Sequence, residues 1–557
     1  MAPTSFASSN TESSAPNVAQ AKLPKLLPEF IAQHYPSEAK LLHVHLVHRH
    51  GERTPVTHLF PSISPKYWNF CAQGNRLHSD FTKAVSVYAP NSDVDVDVDV
   101  AKKGENHQQW YNYMFKSENS KSHSIFPDDN PSKAHSNDKS QFTADTCAFG
   151  QLTDVGRQSL TALGAHMRAL YTDALGFLPA VPRSGDDNGP TEDLYLRTTS
   201  YTRAFESLQH TLGGMYPNLP ANSRIFRINV RPRNIENLYS DYRCKVLDRL
   251  HTECSKESVE HFSEDHAKLH RDILQIPSLG EPFEVELKRR AQFASLFVWD
   301  TTSSMRSHGL PLPKDIDDDF ISRVSHMCAV EHQRPTMGST QLARMQIGPF
   351  VRELTDNVVS VVEADRGIVV NKQRPPKMSI YSGHDTTIGP LLAIFGDDLA
   401  GSPSLTTSAT PLWPPFSSSL RIELLKDSVS PYPAVQPSWA GDLANHSEDL
   451  SSIPPEERIR PLNVPDSLYR LAPGQTDSTL AMPFNPRAMR DYYVRIWYND
   501  RSVQLPACRD PGAHHTKLGS SVCTLDGFFK QIARFVPSES ETIQELHALA
   551  KAQSKSQ

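Results

Sequence analysis

Leu41-Leu42-His43-Val44-His45-Leu46-Val47-His48-Arg49-His50-Gly51-Glu52-Arg53-Thr54-Pro55 is the stretch on which the reading of this chain turns. From Leu41 to Val47 apolar and histidine positions first alternate and then give way to apolar residues on both faces, the pattern of a strand that becomes more buried as it runs. It ends in charge, at Arg49 and His50. Gly51 allows the backbone to pass close to a bound group, and Pro55 stiffens the exit from the loop.

Two later segments end in the same way. Leu194-Tyr195-Leu196 reads as a short strand that delivers Arg197, and Met378-Ser379-Ile380-Tyr381 runs into Ser382-Gly383-His384-Asp385. Ligands of an open α/β sheet sit beyond the carboxyl ends of its strands, so the three clusters are expected to meet in one crevice suited to an anion.

Phosphoryl transfer needs a nucleophile, fixed positive charge around the equatorial oxygens and an acid for the departing alkoxide. A neutral imidazole attacks phosphorus directly when its second nitrogen is held by an acceptor, which is the role read for His50. Arg49, Arg53 and Arg197 supply planar, permanently charged forks matched to phosphate oxygens, and His384 adds a further donor. Asp385 is the candidate proton donor, a role that favours low working pH. The scheme calls for no metal cluster and no cofactor.

Around these clusters Gly150-Gln151-Leu152-Thr153 opens a helix that Thr153 caps, with Val155, Leu160, Leu163, Met167 and Leu170 on or near one face. A second helix carries Ala204, Phe205, Leu208 and Leu212. The stretch from about 240 to 365 has helical periodicity, clearest at Ile347, Phe350, Val351, Leu354 and Val358, and is read as a helical subdomain. Strands follow at Leu420 to Leu425, Tyr493 to Tyr498 and Val503 to Leu505, the last two joined by a turn at Asn499-Asp500, and then a helix from Leu525 to Phe535. Polar segments at about 72–145 and 427–485 read as insertions. The first contains the repeat Asp93-Val94 through Asp99-Val100, taken as solvated loop because its carboxylates repel along one face; without Gly at its sixth position it is no EF-hand loop. Residues 1–30 read as a disordered tail and 538–557 as a second tail.

Composition narrows the classes. The 557 residues are 38% hydrophobic and 22% charged, enough for a sizeable core, while 43 prolines point to long loops. A net charge of −6, from 57 Lys and Arg against 63 Asp and Glu, gives no field that would draw the molecule to nucleic acid or an anionic membrane. No run approaches the roughly 18 apolar residues of a membrane span. The Ser-, Ala- and Asn-rich start lacks the basic and apolar regions of a signal peptide, so an intracellular protein, cytosolic or mitochondrial, is expected. Seven cysteines without metal-ligand spacing agree with a mostly reduced protein, and Cys508 and Cys523 are expected to stay thiols.

Arg49-His50-Gly51-x-Arg53-x-Pro55 together with His384-Asp385 resembles the histidine acid phosphatases, branch 2 of the histidine phosphatase superfamily. Gly150-Gln151-Leu152-Thr153, Arg197-Thr198-Thr199 through Arg203, and the closing Cys508 and Cys523 segments are similar to further family elements in the same order. The resemblance, over about 40 to 537, implies an α/β phosphoglycerate mutase-like three-layer sandwich: a central mostly parallel sheet with a helical subdomain. It also implies a phosphohistidine at His50, phosphate bound by Arg49, Arg53, Arg197 and His384, and Asp385 as the acid.

Within the family the chain looks most similar to lysophosphatidic acid phosphatases, which makes a phosphomonoester, and a lysophospholipid in particular, the expected partner; no protein partner is implied. A phytase-like inositol phosphate phosphatase, a non-catalytic phosphate-binding protein of the same fold and a mutase are the competing readings. Glu52 departs from the pattern, since Arg-His-Gly-Glu is typical of the mutase branch, and is read as an allowed variation. Arg203 reads as likelier than Arg197 to be a structural ion-pair residue, with a direct phosphate role left open; His43 and His45 read as scaffold, and Asn445-His446-Ser447 as a glycosylation sequon on paper only. A metal-dependent His-Asp phosphohydrolase would need further ligands at helical spacing, which are not found.

Overall fold

The computed structural model describes residues 28–72, 85–88, 146–183, 190–219, 225–232, 235–239, 245–279, 294–366, 374–396, 413–428 and 491–536. Residues 1–27 and 537–557, the Asp-Val repeat, the Asn445 sequon and nearly all of both polar segments lie outside these residues, and the expected tail of residues 1–30 is shorter than read, because a helix begins at Pro28.

Among the described residues ten strands form one sheet: β1 (Ala39–Arg49), β2 (Val85–Tyr88), β3 (Leu194–Thr198), β4 (Phe226–Val230), β5 (Met378–Gly383), β6 (Ser419–Asp427), β7 (Tyr492–Tyr498), β8 (Arg501–Val503), β9 (His514–His515) and β10 (Gly519–Thr524). They run in the order β2-β4-β3-β5-β1-β6-β7-β10-β9, with β8 paired to β7. From β2 to β1 the neighbours are parallel, and from β1 onward antiparallel. The expected mostly parallel sheet is therefore the half that carries the site. β7 and β8 meet at Asn499-Asp500, both with positive φ, the conformation of a two-residue hairpin whose twist matches its strands.

The helices are α1 (Pro28–His34), α2 (Asp154–Arg168), α3 (Thr202–Met215), α4 (Lys245–His261), α5 (Ser263–Gln275), α6 (Ala294–Ser307), α7 (Asp318–His332), α8 (Arg334–Gly338), α9 (Thr340–Gln346), α10 (Gly348–Asp365), α11 (Asp385–Phe395) and α12 (Leu525–Ile532). Thr153 caps α2 as its position predicts, accepting from Gly156 N at 3.3 Å. Strand alternation splits the sheet into two faces. Val44, Leu46, Leu196 and Ile380 pack on Leu160, Leu163, Leu208 and Leu212 of α2 and α3. Val47, Tyr381, Ile422 and Ile496 pack on Phe350, Leu354 and Val358 of α10 and on α11 and α12. This is a three-layer sandwich. Helices α5 to α7 build a separate core from Leu269, Ile273, Val298, Phe320 and Val324, joined by Phe60 from the loop after β1, and α4 packs Leu247 and Leu250 on Leu342 and Met345 of α9.

Two expectations need correction. Cys508 and Cys523 are bridged rather than free, and Cys71–Cys147 forms a second disulfide. Sequence spacing could not reveal either, because bridging requires Cα atoms within about 7 Å and pairing is set by the fold. The polar segment starting near residue 72 is also not wholly loop: Val85–Tyr88 adds an edge strand parallel to β4.

Candidate active site

β1 and β5 are direct neighbours with Arg49 opposite Gly383, and β5 aligns Ser382 with Thr198 of β3. His50, His384 and Thr199 therefore leave three adjacent strands side by side. The ladder continues into the loops, with His50 N donating to Gly383 O at 3.0 Å and Thr199 N to Ser382 O at 3.3 Å. Gly51 is required by packing: a Cβ there would sit 2.6 Å from the carbonyl oxygen of Gly156 in the first turn of α2.

His50 Nδ1 lies 2.9 Å from the carbonyl oxygen of Gly51, an acceptor only, so this nitrogen carries the proton and Nε2 keeps its lone pair. Burial lowers the His50 pKa well below the ordinary value, and Arg203, Arg49, Arg53 and His384 press it further in that direction. Burial and the neighbouring cations together favour the neutral ring. His384, 5.4 Å from His50 between ring centroids, is fixed by Thr199 Oγ1 at 2.9 Å and by the Tyr201 and Tyr239 rings.

Each of two arginines is paired with a carboxylate. Arg49 Nη2 lies 2.7 Å from Asp385 Oδ2, and Arg53 Nη1 lies 2.7 Å from Asp300 Oδ1 of α6. Asp300 Oδ2 also accepts from Val56 N at 2.8 Å, which ties the helical subdomain to the Arg53 loop. Phe416 stacks under both guanidinium groups, 4.3 Å from Arg49 and 5.6 Å from Arg53. Among the described residues neither Arg49 Nε nor Arg53 Nε has a partner, which leaves donors for an anion. Burial pushes the Asp385 pKa up, but Arg49 and Arg53 outweigh it and hold the carboxyl below its usual range.

Of the residues read from sequence, Arg49, His50, Arg53, His384 and Asp385 come together. Arg197 does not. Its side chain lies on the α10 face of the sheet, fully buried, with Nη1 2.7 Å from Glu353 Oε2 and Nη2 on Glu236 and Asn237. Two carboxylates already satisfy that fork. Arg203, in the first turn of α3, is the third guanidinium acting on His50; its plane covers the Tyr201 ring at 4.6 Å. Its carbonyl accepts from Ser207 Oγ, which in turn accepts from Gly51 N at 3.1 Å. Sequence reasoning missed Asp300 and Phe416, and it preferred Arg197 to Arg203, whose phosphate role it left open. Only Arg203 carried a local signal, a basic residue off the apolar stripe at the amino end of a helix that follows a strand. Glu52 is turned away into a buried bond with Ser417, at 3.3 Å, and its pKa is raised by burial.

An imidazole at the floor of a cationic crevice, with a carboxyl group beside it at the ends of parallel strands, is the apparatus of a phosphomonoesterase. The model of the histidine phosphatase superfamily (branch 2) matches residues 40–436, and the chain belongs to that superfamily. It is 25% identical to a probable acid phosphatase of Schizosaccharomyces pombe over 91% of this chain and 95% of the relative. It is also 25% identical to the human lysophosphatidic acid phosphatase type 6 over 58% of this chain and 67% of that one. A solved Hafnia alvei phytase bound to myo-inositol hexakis sulphate aligns with 90% of this chain and 98% of its own, at 10% identity and a TM-score of 0.48. The protein is an acid phosphatase acting on phosphomonoesters.

Proposed function

We propose that the enzyme works without a metal ion, through a phosphohistidine at His50 Nε2, with Arg49, Arg53, Arg203 and His384 binding the phosphoryl group and Asp385 as the acid. The observation that carries this reading is the His50 tautomer: its Nδ1 proton is committed to Gly51 O, which leaves the Nε2 lone pair for phosphorus, on a ring that feels the charge of three guanidinium groups. The Nε2 lone pair forms the P–N bond as the P–O ester bond breaks. The leaving oxygen keeps the bonding pair and takes the Asp385 proton. Water then attacks phosphorus, gives a proton to the Asp385 carboxylate, and the P–N electrons return to Nε2.

In the free site Asp385 is ionised against Arg49. A bound phosphate dianion competes for that guanidinium and adds negative charge nearby, and both effects raise the Asp385 pKa toward the protonated form the reaction needs. Turnover is favoured in acid for this reason. The two disulfides support an oxidising compartment rather than the reduced cytosol read from cysteine number. A lysophospholipid is a candidate substrate, supported by the name of the human relative.

The test is p-nitrophenyl phosphate hydrolysis at acid pH with and without EDTA, for the parent and for His50→Ala and Asp385→Asn. EDTA is expected to leave the rate unchanged. His50→Ala should abolish turnover, and Asp385→Asn should reduce kcat by about 10²- to 10⁴-fold, the usual span for general acid catalysis. Rapid acid-labile labelling of protein from a ³²P-ester should disappear with His50. Chelator-sensitive turnover, or undiminished activity in His50→Ala, rejects the mechanism.

A further inference from the structure

The nucleophile hangs on a peptide unit that is held from both edges. Between His50 and Gly51, the carbonyl oxygen of His50 accepts from Ser417 N at 3.1 Å, and Gly51 N donates to Ser207 Oγ at 3.1 Å. A peptide unit is planar with its C=O and N–H on opposite edges, so two such bonds stop the plane from turning about the line that joins its Cα atoms. Gly51 has no backbone preference that would do the same, and the close approach of Gly156 O leaves no room for a side chain that would restore one. Turning this plane swings the His50 ring relative to Gly51 O, the acceptor that fixes its tautomer.

Each partner is itself held. Ser207 of α3 is fully buried and gives its own proton to Arg203 O at 2.6 Å, which leaves its oxygen lone pairs for Gly51 N. Ser417, in the loop before β6, has a φ of 59°, a left-handed conformation disfavoured for any residue with a Cβ. In that conformation its N–H reaches His50 O while its hydroxyl donates to Glu52 Oε2 at 3.3 Å. The same loop stacks Phe416 under Arg49 and Arg53 and offers Pro414 O to Arg49, so its path is fixed by the site it serves. Glu52 is buried and also bonded to Ser159; burial raises its pKa toward the uncharged form, which can hold Ser417 without setting a negative charge against a phosphate. The residue by which the loop departs from the family pattern thus has a place in the site.

We propose that Ser207, Ser417 and Glu52 are positioning residues for the nucleophile: the two serines fix the two edges of the peptide between His50 and Gly51, and Glu52 holds Ser417 in the strained conformation that makes this possible. All three act through His50. The inference rests on the reading of His50 as the nucleophile.

Rapid-quench labelling with a ³²P-ester measures the rate of phosphoenzyme formation in the full-length parent and in Ser207→Ala, Ser417→Gly, Glu52→Leu and Glu52→Gln, beside the inhibition constant for inorganic phosphate and the urea midpoint. Ser207→Ala and Ser417→Gly should each slow phosphorylation by about tenfold while phosphate inhibition stays within about twofold, because the nucleophile is misaimed and the arginines are untouched. Ser417→Gly should do so at a urea midpoint close to the parent's, since glycine adopts the left-handed conformation freely; a purely structural role would move the midpoint and not the rate. Glu52→Leu should match Ser417→Gly and add nothing to it when the two are combined, whereas Glu52→Gln, which keeps an acceptor, should stay within about threefold of the parent. Parental phosphorylation rates in Ser207→Ala and Ser417→Gly, rate losses mirrored by weaker phosphate inhibition, or multiplying losses in Glu52→Leu/Ser417→Gly overturn the inference. No acid-labile label in the parent, or label that survives His50→Ala, rejects the nucleophile itself and the inference with it.

Discussion

Arg197 lies in β3 with its guanidinium held between Glu236 and Glu353, whereas Arg203, in the first turn of α3, is close enough for its charge to act on His50. The two changes to alanine should therefore separate. Arg197→Ala leaves the buried Glu236 carboxylate without its counter-ion, and removal of one member of a buried pair destabilises by about 3–5 kcal/mol. It should lower the urea midpoint and leave kcat/KM of the folded fraction nearly intact. Arg203→Ala removes a cation from the transition state and should reduce kcat/KM for p-nitrophenyl phosphate by about 10²- to 10³-fold at near-parental stability, the size of effect seen for one lost preorganised donor. Parallel activity losses in both variants would contradict this division. The sequence could not make it, because Arg197 and Arg203 both follow the same apolar strand. Which face of β3 meets α10, with Glu353, is decided by packing between segments more than a hundred residues apart.

β1 was readable for the opposite reason: its apolar and histidine alternation and its charged end are both local. The structure adds that His43, His45, His48 and His50 are all buried, His43 and His48 with pKa lowered to about 4 by burial and the other two held well below the ordinary value. In the unfolded chain these rings titrate near the ordinary value of about 6.5. As pH falls through that value the unfolded state binds protons that the folded state refuses, so stability is complete above it and is lost toward pH 4. Each ring contributes a slope of roughly 1.4 kcal/mol per pH unit. Glu52 and Glu331, whose pKa values are raised by burial, act in the opposite sense and offset part of it. Urea midpoints at pH 7, 6 and 5 should fall steadily, and His43→Gln should flatten the fall by about one proton's worth; a flat profile for the parent would refute the account. Acid that protonates Asp385 for turnover thus also weakens the strand that presents His50, which bounds the working range from below. β2 shows the limit of local reading at this scale, since four residues within a polar segment become a strand only because β4 offers a parallel edge.

Over the whole molecule, the helices and strands flanking the site segments could be read from periodicity and the layered α/β architecture from the family resemblance, whereas the cross-links could be read from neither. Cys71–Cys147 closes a loop with a sequence separation of 76, against 15 for Cys508–Cys523. On the chain-entropy model these closures stabilise by about 4.5 and about 3 kcal/mol. Their positions differ in consequence as well. Trp68 bridges Cys147, Cys71 Sγ contacts Leu152 O, and Leu152 pairs with Arg53 across an isolated bridge, so the first disulfide braces the loop that holds a phosphate-binding arginine. The second joins β10 to the segment after β8, three strands along the sheet from β1. Replacing each pair by serine should lower the urea midpoint in both proteins, more for Cys71→Ser/Cys147→Ser. Only that variant should also weaken competitive inhibition by inorganic phosphate, by roughly three- to tenfold, because Arg53 loses part of its preorganisation. Equal phosphate inhibition in the two variants would mean that Asp300 alone fixes Arg53 and that the long-range cross-link serves stability without serving the site.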